Sequence, residues 1–403
     1  MTLTITRLTA SSGGMADAEG PFPRTLPGEK IERAEDGTVR IITPSAARVK
    51  APCRHFKSCG GCAMQHASNA FVADWKTQVI ETGLRARGIE TEIRPILTSP
   101  PQSRRRAVLH GKRTKSGAMI GFHARGSNVL IETPGCQLLD PALIDAFPAL
   151  EELTVLAASR KAELELIATL SENGIDLDMR GCKPLDPQSA LKAARIAEHY
   201  RFARIAWDTE VIGLRAPPMQ RFGPAQVAPP PGAFLQATQH GQDMLSQCVR
   251  EAISGASQVV DLFAGCGTFS LPAAETAEVW ALEGEAGLIA ALDQGWRNAR
   301  GLKKVKAETR DLFRRPVLAA EIKNTDAVII DPPRAGAEAQ SREIAQSDVP
   351  VIAAISCNPV TFARDAEIFI NGGYRLDWVQ PVDQFRWSAH VELAALFTRP
   401  HIA

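Results

Sequence analysis

From about residue 241 to residue 355 the chain alternates helix-period stretches with short apolar runs, and few folds accommodate that alternation. A helix over 241–253 precedes an apolar strand, Val259–Phe263, and further helices separate strands at Val279–Leu282, Ala327–Ile330 and Val351–Ile355. Apolar strands spaced by helices read as a parallel α/β sheet. Upstream, a proline-rich junction runs from Ala216-Pro217-Pro218 to Pro229-Pro230-Pro231-Gly232. Locked φ angles and missing N–H groups exclude helix and central strand there, so a domain boundary or an exposed crossing is expected. The sheet region therefore takes residues 216–403. Residues 51–215 mix short strands with helices and read as an α+β domain, and residues 1–50, rich in Gly, Pro and β-prone runs, read as a small β module. With 403 residues, 45% hydrophobic and 23% charged, the composition is that of a multidomain globular protein and excludes disordered and fibrous classes.

Within the sheet region, Val259-Val260-Asp261-Leu262-Phe263-Ala264-Gly265-Cys266-Gly267-Thr268-Phe269 is a strand that turns through Gly-x-Gly into a helix. The glycines let a ligand approach the backbone at the strand's carboxyl end, where open α/β sheets bind cofactors. The third glycine of a dinucleotide fingerprint is missing, because Ser270 stands there. That favours a smaller nucleoside ligand such as S-adenosylmethionine over a pyrophosphate. Glu283, at the end of the next strand, is placed to accept hydrogen bonds from ribose hydroxyls, and the Arg310-Asp311-Leu312 stretch fits adenosine recognition.

Two further carboxyl ends carry reactive groups. Asp331-Pro332-Pro333-Arg334 forms a rigid rim, and Ser356-Cys357-Asn358-Pro359 sets a thiol where a transferable group would lie. A thiol beside a methyl donor points to a pyrimidine acceptor. Uracil C5 is a weak carbon nucleophile until a thiolate adds at C6, and a base must later remove the C5 proton. In His390-Val391-Glu392-Leu393, Glu392 is the candidate base, although unaided it reads as an ordinary solvent-facing strand residue.

The cysteines are the second signal. Cys53-x5-Cys59-x2-Cys62 puts three thiolates on a tight turn containing Gly60-Gly61, and Cys136 in Pro134-Gly135-Cys136 is the candidate fourth ligand. Spacing alone leaves tetrahedral zinc and an iron-sulfur cluster both open. The net charge of +1, from 46 Lys+Arg against 45 Asp+Glu, gives no bulk nucleic-acid signal, so any such site must be a local patch. One lies between the cysteines. Arg104, Arg105, Arg106, Lys112, Arg113, Lys115 and Arg125 occupy residues 101–131 with no acidic residue, beside Phe122 and His123, which could stack on an unpaired base. No long apolar run or signal-peptide core is present, so the cytoplasm is the expected compartment, with no membrane role and no obligate protein partner.

Taken in order, these motifs, with Phe234-Leu235-Gln236 and the Cys53 to Cys136 set, resemble the RNA (uracil-5-)-methyltransferase family, which includes 23S ribosomal RNA enzymes and the tRNA uracil-54 enzyme. The resemblance covers nearly the whole chain. It implies a Rossmann-like class I methyltransferase sheet behind a central iron-sulfur domain and a TRAM-like, OB-like module, here short, with Leu26-Pro27-Gly28-Glu29 as its best match. It also implies S-adenosylmethionine contacts at Gln236, Phe263, Thr268, Glu283, Asp311 and Asp331, with Cys357 as nucleophile and Glu392 as base. The resemblance favours a [4Fe-4S] cluster over zinc at the four cysteines, and packing of the helix at about 71–87 on the catalytic domain. Thr238 departs from the family, many members of which have Asn there. The expected activity is C5 methylation of uridine in structured RNA, with 23S ribosomal RNA first and tRNA uridine 54 as the alternative. A non-catalytic iron-sulfur RNA-binding assembly factor is the rival of another class.

Overall fold

The structure is a computed structural model, and it describes residues 2–400. At the N-terminus six short strands between Thr2 and Thr43 pair into two antiparallel three-stranded sheets. Their own core is small, built on Ile5, Ala16, Phe22 and Ile31. The Leu26-Pro27-Gly28-Glu29 turn ties this module to the segment over residues 45–75. Leu26 is fully buried against Met64, Val72 and Trp75, while the buried Glu29 carboxylate accepts from the Leu26 and Ser45 amides and pairs with Arg48.

Helix α1 (Asn69–Arg85) is capped by Ser68, whose hydroxyl accepts from the Phe71 amide. Its first half faces the N-terminal module, and Ile80 and Leu84 enter the core of the C-terminal sheet. Lys76, with no exposed side-chain surface, donates to Asp383 at 2.6 Å and to the Phe385 carbonyl at 3.1 Å. The chain next adds two short strands, Glu92–Ile93 and Leu97–Thr98, to the edge of that same sheet. Residues 69–99 lie within the stretch read as the central domain, yet the helix packs on the catalytic sheet, as the resemblance implies, and the two strands after it join the same sheet. Their apolar stripe looks the same from either side, and only the partner sheet decides.

The central domain is a seven-stranded sheet built from β1 (Arg106–Arg113), β2 (Ala118–His123), β3 (Leu130–Glu132), β4 (Glu163–Ser171), β5 (Gly174–Arg180), β6 (Arg204–Trp207) and β7 (Glu210–Leu214), in the order β3-β2-β1-β4-β5-β6-β7. Every pair is antiparallel except β5 with β6. On β1, Ala107, Leu109 and Gly111 are buried while Arg106, Val108 and His110 are half-buried, the period of two that seats one face on a core. Helix α2 (Phe147–Ala157) and helix α3 (Pro187–His199) contribute to that core.

The C-terminal domain has the alternation read from the sequence. Its elements are α4 (Gln239–Ala252), β8 (Gln258–Leu262), β9 (Glu278–Glu283), α5 (Ala286–Asn298), β10 (Val305–Thr309), β11 (Ala327–Ile330), α6 (Glu338–Ala345), β12 (Val351–Ser356), α7 (Pro359–Asn371), β13 (Arg375–Asp383) and β14 (Glu392–Thr398). They order as β10-β9-β8-β11-β12-β14-β13, parallel through β12, with β14 inserted antiparallel between β12 and β13. The order reverses between β8 and β11, so a crevice opens at their carboxyl ends. The proline-rich junction is not merely an exposed crossing. It contains a hairpin, Gln220–Phe222 with Ala225–Val227, whose Phe222, Ala225 and Val227 are buried with Leu271 and Leu288. Prolines flank this hairpin and stay out of its ladder. No helix among the described residues is long and apolar enough to cross a membrane.

Candidate active site

Beyond β8 the chain makes a turn that few side chains tolerate. Phe263, Gly265 and Gly267 all take positive φ, at 63°, 56° and 98°. A Cβ on Gly267 would lie 2.8 Å from a Leu271 methyl, so glycine is required there for space as well as conformation. Phe263 has no such excuse, and a bulky residue held at positive φ marks a place where the surroundings impose the geometry. The Gly265 amide donates to Glu283 at 3.1 Å, and the Glu285 amide donates to the same carboxylate at 3.0 Å. Glu283 thus joins the ends of β8 and β9. Beneath the turn Asp261 is fully buried. One of its oxygens accepts from Ser270, the other has no partner, and burial pushes its carboxyl up to about 7.

A cleft of about 460 Å³ opens above this turn. Gln236, Phe263, Thr268, Glu283, Asp311 and Asp331 all line it, as do Cys357 and Glu392, so the candidate cofactor contacts and both candidate reactive groups share one cavity. Phe313, absent from the sequence reading, also lines it; its ring is 5.4 Å from that of Phe263 and remains 56% exposed. The Asp311 carboxylate accepts from the Phe313 amide at 3.0 Å, which fixes the loop that carries this second aromatic wall. The only sequence signal was an apolar residue in a polar turn.

The reactive end is set by strand register. Ser356 on β12 pairs with Leu393 on β14. Continuing the antiparallel register by one residue puts Cys357 opposite Glu392, although 35 residues separate them in sequence. Both sit in poorly hydrated surroundings. Burial first, then the nearby Glu392 and Asp331 carboxylates, push the Cys357 thiol up to about 11, against the opposing pull of Arg334. Burial and then Asp331 push Glu392 up to about 8, and desolvation alone raises Asp331 to about 7. Glu392 is 3% exposed, so the reading of it as a solvent-facing strand residue is overturned.

Neighbouring polar groups hold the frame. The Asn358 side chain accepts from the Val360 amide at 3.1 Å, capping α7, and donates to the Arg334 carbonyl at 3.0 Å, tying the thiol loop to the proline rim. Gln384, also missed in the sequence, is 1% exposed; it donates to Gln236 and accepts from the Ala237 amide, and it lies close enough to Glu392 to oppose the rise in its pKa. Thr238 caps α4 by accepting from the Gly241 amide at 2.8 Å and bonds the Ser99 hydroxyl, so the departure from Asn keeps a capping function.

In the central domain, Cys53, Cys59 and Cys62 occupy the loop before α1, and Cys136 comes after β3; all four thiols are free. Gly60 is needed because its amide donates to the His123 carbonyl at 2.9 Å and a Cβ would meet that oxygen at 2.7 Å. Amides point at sulfur, from Gly61 to Cys59 at 3.3 Å and from Leu138 to Cys136 at 3.4 Å. Burial raises Cys59, Cys62 and Cys136, and their mutual proximity, with Cys53, raises them further, Cys62 to about 12. Four thiols gathered from one loop and the segment after β3 are a donor set suited to a cation.

The basic stretch requires correction. Arg105 is 7% exposed and spends its guanidinium on the Gln236 carbonyl and the side chains of Gln239 and Gln242, a clamp between domains and not an RNA contact. Arg106 donates to the Ala233 and Gly232 carbonyls, and Arg104 donates back to the Arg106 carbonyl with its guanidinium over Phe385. Lys112 and His123 both pair with Glu163, an acidic neighbour supplied by β4 and invisible within residues 101–131. Arg125 is exposed and donates to the Cys62 carbonyl, while Arg113 and Lys115 flank the tip of the β1–β2 hairpin.

A parallel sheet closed by an inserted antiparallel strand, with a glycine turn and an acidic residue at adjacent carboxyl ends, defines a methyltransferase of the class I type. The chain matches the Pyrococcus abyssi tRNA (uracil-54, C5)-methyltransferase, solved with S-adenosyl-L-homocysteine, at a TM-score of 0.76, covering 99% of both chains at 22% identity, which establishes the shared fold. Residues 296–400 match the model of the tRNA (uracil-5-)-methyltransferase family. An RNA methyltransferase of Caulobacter vibrioides is 42% identical over 98% of this chain and 99% of its own length. A Brucella suis RNA methyltransferase is 40% identical over 98% of this chain and 97% of its own. The 23S rRNA (uracil(1939)-C(5))-methyltransferase of Chromohalobacter salexigens is 31% identical over 98% of this chain and 89% of its own. The chain belongs to the RNA (uracil-5-)-methyltransferase family.

Proposed function

We propose that this enzyme methylates C5 of an unpaired or flipped uridine in 23S ribosomal RNA, with Cys357 as nucleophile and Glu392 as base. The observation that carries this reading is the β12–β14 register, which sets the thiol opposite the carboxyl at the mouth of the cleft that ends in the glycine turn. Bound S-adenosylmethionine supplies the methyl group, and Gln236, Phe263, Thr268, Glu283, Asp311 and Asp331 are the residues that would hold it. Cys357 Sγ, as the thiolate left once its proton passes to solvent, adds to uracil C6, and the C5–C6 π electrons move toward O4 as an enolate. C5 would then take the methyl group of the bound donor, the electron pair of the broken bond staying on the donor sulfur as a neutral thioether. Glu392 removes the C5 proton, the double bond re-forms, and Sγ is expelled. Because a protonated Glu392 cannot serve as base, its raised pKa makes the carboxylate form scarce below about pH 8 unless a positive charge enters the cleft. A sulfonium provides that charge.

The ribosomal assignment is supported by the Chromohalobacter relative; the Pyrococcus likeness supports the fold alone. At the cysteines we favour a [4Fe-4S] cluster. Backbone amides of Gly61 and Leu138 already point at two of the four sulfurs, the hydrogen bonding that tunes such a cluster. Two measurements test the reading. RNA containing 5-fluorouridine, which has no C5 proton to lose, should trap a covalent adduct in wild type and none in Cys357→Ala; no wild-type adduct removes the mechanism. Labelled methyl transfer to total RNA from a deletion strain should mark 23S ribosomal RNA, and label in tRNA would move the target to uridine 54.

A further inference from the structure

On the half-buried face of the central sheet, three metal-ligating side chains converge from three adjacent strands. The register pairs His110 of β1 with Gly121 of β2 and with Glu165 of β4. His123 and Glu163 each lie two residues from those partners, so period-two alternation puts all three side chains on one face in diagonal contact. Their ligand atoms lie within 4.8 Å of one another. The two imidazoles stack with ring centroids 3.9 Å apart, and His123 Nε2 is 2.9 Å from Glu163 Oε2. Lys112 holds the other Glu163 oxygen at 3.0 Å.

We propose that His110, His123 and Glu163 form a divalent transition-metal site of the zinc class, distinct from the four cysteines. Two imidazole nitrogens and one carboxylate oxygen, with positions left for water, are the donor set and number that zinc accepts at an open site. The cation would replace the proton now shared by His123 and Glu163, and Lys112 would remain on the second oxygen as an outer partner that orients the carboxylate. Side-chain exposures of 29% for His123 and 23% for Glu163 leave a route for entry. Occupancy would brace β2 where its His123 carbonyl accepts from Gly60, and so stiffen the wall behind the cysteine loop.

The test is equilibrium dialysis of the full-length protein against micromolar zinc, with zinc, iron and sulfide counted in the same sample. Wild type should retain one more zinc per chain than His123→Ala or His110→Ala, with iron and sulfide unchanged among them. Glu163→Gln, which keeps a hydrogen-bond acceptor for His123, should weaken zinc binding by tenfold or more. Lys112→Ala, which removes the outer partner that orients the carboxylate, should also weaken it, by up to about tenfold. Equal zinc in wild type, His123→Ala and Glu163→Gln overturns the proposal, and a zinc deficit that tracks cysteine occupancy instead of the histidines overturns it equally.

Discussion

Two sets of buried charges in this molecule are treated in opposite ways. Away from the catalytic cleft several buried charges are matched by side-chain partners. Lys76 meets Asp383, Arg204 meets Asp176 through two bonds, and Arg105 meets Gln236, Gln239 and Gln242. In the catalytic cleft the pattern reverses. Asp331 and Glu392 face each other and the Cys357 thiol, Asp261 keeps one oxygen without a partner beneath them, and all four pKa values are driven up. A buried charge without its partner costs stability. Where a fold tolerates several together, the missing partner is best sought in a ligand. A cation above the glycine turn would supply it.

Substitutions on the two sides should therefore separate activity from stability. Cys357→Ala should reduce methyl transfer to background while leaving the urea midpoint close to wild type, measured with labelled cofactor and by equilibrium unfolding. For Glu392→Gln the expected loss of turnover is about 10²- to 10⁴-fold, the range typical of a positioned base, with stability equal or higher; a wild-type rate would remove Glu392 from the mechanism. Lys76→Ala does the converse. It leaves Asp383 buried and unpaired at a cost of about 3–5 kcal/mol, visible as a lowered urea midpoint.

The same contrast governs pH. Glu392 at about 8, with Asp261 and Asp331 at about 7, retain protons in the folded chain that ordinary carboxylates of the unfolded chain release. Between roughly pH 5 and 8 the folded state binds more protons, so its stability falls as pH rises through that window. The thermal midpoint of the cofactor-free protein should decline accordingly, and Glu392→Gln should flatten the decline. Smaller effects are expected on the basic hairpin. Lys115→Ala should lower the slope of log affinity for RNA against log salt by about one, whereas Arg105→Ala should leave that slope unchanged and cost about 1–3 kcal/mol through its unpaired acceptors.

Much of the catalytic domain was legible because its evidence is local. The Ala327–Ile330 strand has the bounds read from its apolar run, and the β8 turn announces itself through Gly265 and Gly267. Errors arose where a residue's environment comes from another part of the chain. Arg105 reads as one cation among seven until Gln239 and Gln242 surround it, and Lys112 reads as unpaired until β4 delivers Glu163. Gln384 and Phe313 carried no motif of their own and gained meaning from the cleft they line or support.

The sequence by itself determined the alternating sheet, the glycine turn, the order of the motifs and the cysteine spacing, because backbone freedom and hydrophobic period are properties of neighbours along the chain. Tertiary structure decided the rest. It inserted β14 beside β12, and that register turned a glutamate with no local distinction into the buried partner of a cysteine 35 residues away. It also sent residues 69–99 to the catalytic side and brought two histidines and a glutamate together from three strands. Pairing across strands depends on which surfaces find each other after collapse, and no local pattern encodes that choice.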